Sequence, residues 1–348
     1  MIEQRFGQAL TLGVEEELMI LDGDTRTQRP LSDELIPLVA ADRGEVKTEL
    51  FRSVIELNTD VCDSPADAAV VLRGLRRATS GAAAQLGCVI AGSGSHPFDI
   101  AAEQPIADNP HYAKFVDYAG PTARRQGVSG LHVHIGMPDA DACLRVLELV
   151  LPWLPVVLAL SANSPWFQGE RTGLMSTRAE ILGLLPRRGA PPPFETWGEW
   201  EELVETFVRS GVATSYTALH WDIRPHPSLG TLEIRAPDQP TALQRTDAFV
   251  ELLHAICRWA LEAAPPRAPL SRAVYEQNRW AASRYGPRAR LIHPFTAGGA
   301  DVPDLYAELV ELIGHDPGLD PASCEADRQL EFDRPAAVAA DLVERSVA

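Results

Sequence analysis

Lysine is almost missing from this chain: Lys47 and Lys114 are the only two among 31 basic residues, set against 48 acids and a formal net charge of -17. That balance argues against a nucleic-acid partner, because phosphate binding needs a basic patch and none is visible. The arginines that stand in for lysine favour fixed, bidentate clamps on carboxylate or phosphate wherever they point inward. No C-x-x-C pair occurs, and Cys62, Cys88, Cys143, Cys257 and Cys324 are scattered and odd in number. With no signal peptide at the N-terminus, they read as reduced thiols of a cytoplasmic protein. A membrane span is missing too: the most apolar run, Val146 to Leu160, holds Glu148, Pro152 and Pro155 and is too short to cross a bilayer. It reads as a buried helix pair. Neither an internal repeat nor a dividing linker interrupts the 348 residues, whose 45% apolar and 23% charged content is that of a globular protein. One catalytic domain, 1–348, is expected, with a Pro-rich insertion at 190–200 and a helical C-terminal tail at 295–348.

What is present is concentrated in strands that carry charge on one face. Thr11 to Leu21 reads Thr-Leu-Gly-Val-Glu-Glu-Glu-Leu-Met-Ile-Leu, and Glu is a poor strand former. Alternation puts Gly13, Glu15 and Glu17 on one face and Val14, Leu18 and Ile20 on the other. Two carboxylates about 6 to 7 Å apart repel unless a cation lies between them. Hard divalent ions such as Mg2+ and Mn2+ suit carboxylate oxygen and leave positions for substrate oxygens. A solvated edge strand is the plainer alternative.

Further segments repeat the pattern. Ser32 opens a helix predicted to run to Asp42, and Ser64-Pro65 caps one running to Leu86. Lys47 to Thr59 is strand-like, with Glu49 and Glu56 on opposite faces unless the chain breaks at Arg52-Ser53. Gly130 to Gly136 places His132 and His134 on one face, a metal or phosphate signal, or else a pair of hydrogen-bonded core histidines. Ser215 to Pro227 is predicted as one strand sharing His220, Asp222 and Arg224 on a face; a turn to Gly230 then returns it as a hairpin bearing Glu233 and Arg235. Thr241 to Ala263 is a long helix broken by Pro265 to Pro269, and Pro186 to Pro193 is a lid or connector. A sheet face lined with acids, imidazoles and guanidinium groups is a site for ions or anions, since burying unpaired charge is costly. Five carboxylates and a histidine suffice for two or three divalent cations, the equipment of phosphoryl transfer.

Six blocks carry a resemblance: Gly13-Val-Glu-Glu-Glu17, Thr48-Glu-Leu with Ile55-Glu-Leu-Asn-Thr59, Gly130-Leu-His-Val-His-Ile-Gly136, Asn163-Ser-Pro165, Leu232-Glu-Ile-Arg-Ala-Pro-Asp238 and Asn278-Arg-Trp280. In order, they resemble the carboxylate–amine ligases of the glutamate–cysteine ligase type 2 group. The resemblance implies an α+β fold, an antiparallel β-sheet funnel with helices on its outer face, like the catalytic domain of glutamine synthetase and guanido kinases. It implies ATP as co-substrate, Mg2+ or Mn2+, and glutamate joined to an amine, cysteine the first candidate, through an acyl phosphate; a homodimer is left open. By motif, Glu15, Glu17, Glu49 and Glu56 would hold metal, with His132 and Glu233 completing the ion nearest the ATP phosphates. His134, Ser95 and Asn163 would meet the nucleotide. Arg235 would steady the transferring phosphoryl group as a catalytic residue with Glu233, and Arg224, Arg178 and Thr59 would join it at the substrate. Acceptor selectivity would lie in the Pro-rich insertion or in Ser95-His96-Pro97.

Three alternatives stay beside that reading. A binuclear metal-dependent hydrolase would use the same acids and histidines, although no H-E-x-x-H or Asp-rich H-x-H-x-D pattern occurs. A ligase of the same fold acting on another carboxylate or a non-cysteine amine is the second, and a catalytically inert binding protein the third.

Overall fold

The computed structural model describes residues 3–263 and 271–346. The predicted helix break at Pro265 to Pro269 lies outside the described residues. Seven strands form one antiparallel sheet: β1 (Leu12–Asp22), β2 (Glu45–Thr48), β3 (Val54–Asn58), β4 (Cys88–Ala91), β5 (Leu131–Gly136), β6 (Ile223–His226) and β7 (Thr231–Ile234). Their lateral order is β6-β7-β5-β1-β3-β2, and β4 pairs with the far end of β1 at Met19 to Asp22. β1 is the axis because it is the longest strand and pairs with three others. Its apolar face, Val14, Leu18 and Ile20, joins Ile55, Leu57, Leu131, Val133, Ile135, Leu232 and Ile234 in one buried core.

Helices cover that apolar side. Pro65–Gln85, opened by Ser64 accepting from the Asp67 amide, contributes Val71, Leu72 and Leu75, and Leu243–Glu262 contributes Phe249, Leu252, Leu253 and Ile256. The expected buried helix pair is Ala140–Val150 and Leu154–Ser161, divided by a single 3-10 turn where Pro152 removes an amide donor. Long and apolar enough to cross a membrane by composition, this stretch has 89% of its most apolar window buried in the fold. All five cysteines are free and buried.

Three elements differ from the sequence-based expectation. The helix from Ser32 is only Ser32–Leu35 plus a 3-10 turn, because Pro37 sits where an amide donor is needed. Lys47 to Thr59 is two strands, β2 and β3, and the break at Arg52-Ser53 is a full chain reversal: Lys47 faces Glu56 across the ladder. Reversal, more than a bulge, brings Glu49 and Glu56 to one face. Ser215 to Pro227 is a 3-10 turn, a short strand His220–Trp221 parallel to Arg188–Gly189, and β6, interrupted at Asp222.

Candidate active site

The ladder register lays the polar side chains out in rows. Glu15 faces His132 on β5 and Asn58 on β3; Glu17 faces Glu56; His134 faces Glu233, which faces Arg224. Because every second residue of each strand points the same way, these rows build one continuous polar face. Glu49 closes it from the end of β2, and its Oε2 accepts the Leu50 amide at 2.9 Å.

Three overlapping groups of ligand atoms follow, each within 4.8 Å: Glu15 with His134 and Glu233; Glu15 with Glu56 and His132; Glu17 with Glu49 and Glu56. Glu15 and Glu56 are shared. His134 Nδ1 lies 2.9 Å from Thr231 Oγ1, and Nε2 faces Glu15 Oε1 at 3.3 Å and Glu233 Oε1 at 3.9 Å; against the lowering effect of burial, these two carboxylates raise the pKa of the imidazole. Nε2 is buried, meets no hydrogen-bond criterion among the described residues, and belongs to the ligand group with Glu15 and Glu233. It is thus His134, more than His132, that gathers with Glu233, while His132 Nδ1 sits 3.1 Å from Glu15 Oε2. A carboxylate-dominated, oxygen-rich set fits Mg2+ or Mn2+.

Electrostatics divide the acids. Burial, then the Glu17 charge, pushes the Glu49 carboxyl up to about 7. Burial, with Glu15 and Glu49 behind it, holds Glu56 well above the ordinary range. Burial also works to raise Glu15, but His134 and His132 outweigh it and hold it well down. Glu233 is fully buried yet depressed, since Arg224 and Arg235 overcome its desolvation. Thus Glu49 and Glu56 carry uncompensated charge demand, which divalent ions would meet.

The arginines separate into clamp and support. Arg224 is mostly engaged by the protein: Nε and Nη2 hold Glu233 Oε2 at 2.8 and 2.7 Å, and Nη1 donates to the Thr217 and Leu219 carbonyls. It orients Glu233, with one Nη2 hydrogen left over beside the four donors spent within the protein. Arg235 bonds Glu233 through Nη1, but its side chain is 24% exposed and Nε and Nη2 have no partner among the described residues.

Arg178, Asn163 and Ser95, expected at substrate and nucleotide, each have partners within the protein. Arg178 donates to the Ala236 and Arg235 carbonyls and lies against Gly130, where any Cβ would strike its guanidinium. Asn163 Nδ2 donates to the Gln239 carbonyl and Thr241, and its Oδ1 accepts from Gln329 in the C-terminal tail. The Ser95 hydroxyl donates to the Trp166 carbonyl at 2.7 Å. His96, from the same loop, is buried with Nε2 2.9 Å from the Arg26 carbonyl. Thr59 does reach the polar face, lining a cavity of about 280 Å3 with Glu15, Lys47, His134 and Thr231.

Asp222 leaves the face it was assigned: it receives the Tyr275 hydroxyl and Arg279 Nε, both at 2.7 Å, on the helix Arg272–Tyr285. Sequence reasoning missed Lys47, Thr231 and Tyr112. Parity could have found the first two, two residues from Glu49 and Glu233 respectively. Tyr112, whose hydroxyl donates to the Thr48 carbonyl, sits on a helix with no polar pattern to mark it.

An antiparallel sheet with acids, imidazoles and a guanidinium with unused donors on one face and helices on the other is suited to holding divalent ions beside anionic groups. The model of glutamate–cysteine ligase family 2 matches residues 11–315. A Rubrobacter xylanophilus protein named as a candidate glutamate–cysteine ligase 2-3 is 40% identical over 296 residues, covering 83% of this chain and 80% of its own. One from Herpetosiphon aurantiacus, named as a candidate glutamate–cysteine ligase 2, is 33% identical over 309 residues, covering 87% and 80%. The chain belongs to glutamate–cysteine ligase family 2. Its fold is shared with the glutamate–cysteine ligase of Francisella tularensis solved with AMP, at TM-score 0.68 and 13% identity over 98% of this chain and 89% of that one. A bifunctional glutathione synthetase from Pasteurella multocida follows at TM-score 0.60 and 18% identity, covering 97% and 50%.

Proposed function

We propose that the polar sheet face catalyses ATP-dependent joining of the glutamate γ-carboxylate to an amine. The observation that carries this reading is the set of three overlapping ligand groups next to a guanidinium with free donors. Glu15, His134 and Glu233, then Glu15, Glu56 and His132, then Glu17, Glu49 and Glu56, would hold Mg2+ or Mn2+. Bound there, such ions supply charge neutralisation for phosphate and carboxylate oxygens.

The cavity beside His134, Thr231, Lys47 and Thr59 is the entrance we assign to the nucleotide, where Lys47 can meet a phosphate. A glutamate carboxylate oxygen attacks the γ-phosphorus as the bond to ADP breaks, giving an acyl phosphate. The amine nitrogen then bonds to the acyl carbon, the carbon–oxygen bond to phosphate breaks, and the amine proton leaves with phosphate. Arg235 holds the transferring oxygens through Nε and Nη2, while Arg224 fixes Glu233 and so fixes Arg235.

ADP release from Mg-ATP, glutamate and a panel of amines including cysteine tests this, with Glu233→Gln as the silent control. Turnover only with glutamate plus one amine establishes the reading and names the acceptor. Metal-dependent ATP binding without turnover means that the carboxylate is not glutamate, and no ATP binding at all sinks the ligase.

A further inference from the structure

A second cavity, of about 310 Å3, opens between the helix Pro110–Ala119 and the segment from Gly211 to His220. That size is at the lower end of small-molecule pockets, roughly 300 to 1,000 Å3. Two hydrogen-bonded links fasten its walls to the reaction centre. Thr217, on its lining, gives its carbonyl to Arg224, the residue that grips Glu233. The helix Pro110–Ala119 bears Tyr112, which bonds the Thr48 carbonyl next to Glu49. The cavity thus adjoins the polar face at the Arg224 side and shares no lining residue with the cavity assigned to the nucleotide.

Its lining has two chemistries. Lys114, one of only two lysines in a chain of net charge -17, lines it with Arg187 and His111 against a single acid, Asp117. Arg187 sits in left-handed backbone conformation at φ 55°, a strained choice for a non-glycine residue. It is held there by its own side chain: Nε donates to the Ala218 carbonyl and Nη1 to the Tyr118 hydroxyl, both at 3.1 Å. Nη2 is left without a partner among the described residues. Phe115, whose ring lies 5.6 Å from that of His220, supplies the apolar part with Tyr118 and Val212.

We propose that this cavity seats the acceptor, and that the acceptor is a free α-amino acid with an apolar or aromatic side chain. Its carboxylate meets Arg187 Nη2 and Lys114, its side chain lies on Phe115 and Tyr118, and its amine faces the wall shared with Arg224. This rests on the ligase reading and deepens it: the Pro186 to Pro193 segment contributes to acceptor choice through Arg187, and a cavity this size admits acceptors larger than cysteine.

The test uses the full chain with Mg-ATP and glutamate, read in two ways. Hydroxylamine traps the acyl phosphate as a hydroxamate and needs no acceptor cavity. Separately, ADP release is followed with phenylalanine, leucine and cysteine, each paired with its decarboxylated amine. The expected result is that phenylalanine or leucine exceeds cysteine, and that loss of the carboxylate raises the acceptor KM by about tenfold or more. Arg187→Ala gives a similar rise while hydroxamate formation moves less than about twofold, and Arg187→Lys recovers part of it. Val212→Trp, at a half-open surface position, fills the cavity and repeats the selective loss should Arg187→Ala fold poorly. Amines without a carboxylate serving equally well, an acceptor KM unmoved in both variants, or no amino acid exceeding the hydroxylamine reaction overturns the proposal alone. No hydroxamate from the wild type overturns the ligase reading and this proposal with it.

Discussion

Glu16 and its neighbours Glu15 and Glu17 are consecutive on β1 and live in opposite electrostatic worlds. Glu16 points to the helix side, has no exposed surface, and is fully paired: Arg76 grips it with Nε at 2.7 Å and Nη2 at 2.5 Å, while Gln239 and Thr246 donate at 2.9 and 2.6 Å. Glu15 and Glu17 point to the other side, where Glu49 and Glu56 join them and the protein provides fewer cationic groups than acids. A buried charge with all its partners built in is architecture; a cluster whose partners are missing is a place for ligands. The same residue type in the same strand thus separates structure from function by which charges are left unanswered.

The largest way to break the contrast is on the paired side. Arg76→Met leaves the Glu16 carboxylate buried alone and is expected to cost about 3 to 5 kcal/mol, read as a lower urea midpoint. Pairing it with Glu16→Leu recovers most of that loss. A single variant as stable as the wild type would mean that the Glu16 network is not what anchors β1 to the helix Pro65–Gln85.

On the unanswered side the sign reverses. Glu56→Gln replaces a carboxyl that the fold keeps protonated at a cost near neutral pH, so the metal-free protein becomes more stable, while Mg-dependent ADP release falls by about a hundredfold or more. Destabilisation of the metal-free form would show that Glu56 is satisfied by the protein after all. The pH dependence sharpens this. Glu49, pushed up to about 7, and Glu56, also raised, stay protonated in the fold where an unfolded chain has already ionised. Their stability contribution is therefore full below the ordinary carboxyl range and is lost as pH rises through about 7. Melting of EDTA-treated protein should fall between about pH 5.5 and 8 by several degrees, and Mg2+ should raise the midpoint more at the upper pH. Equal Mg2+ shifts at both ends would detach these two acids from the metal.

How much of this the sequence revealed follows from chain regularity. β1, β5 and β7 are unbroken and Arg235 directly follows β7, so parity places Glu15 with Glu17, His132 with His134, and Glu233 with Arg235, and the register joins the rows. Parity fails where the chain turns: at Arg52-Ser53, whose reversal brings Glu49 to Glu56, and at Asp222, where the strand stops and the carboxylate swings to Arg279. Blocks that resembled a ligase were of two kinds that no local pattern distinguishes. Asn163, Ser164 and Ser176 are tied together by Asp238, which accepts the Asn163 amide at 2.9 Å and the two hydroxyls at 2.7 Å each, a knot behind the face. Only long-range partners tell such a knot from a site.

Ser95 gives the finest test of that distinction. Its hydroxyl is spent on the Trp166 carbonyl in a buried loop, so Ser95→Ala leaves one acceptor unmet and should cost about 1 to 3 kcal/mol of stability. The ATP KM should stay within about twofold, because nothing that touches the nucleotide has moved. Thr231→Ala is the matched opposite: it frees His134 Nδ1, lets the ring turn, and should raise the ATP KM with less loss of stability, since Thr231 is only half-buried. If the two variants exchanged these signatures, the Ser95 loop would belong to the nucleotide and His134 to the scaffold, and the line drawn between answered and unanswered polar groups would run through the wrong residues.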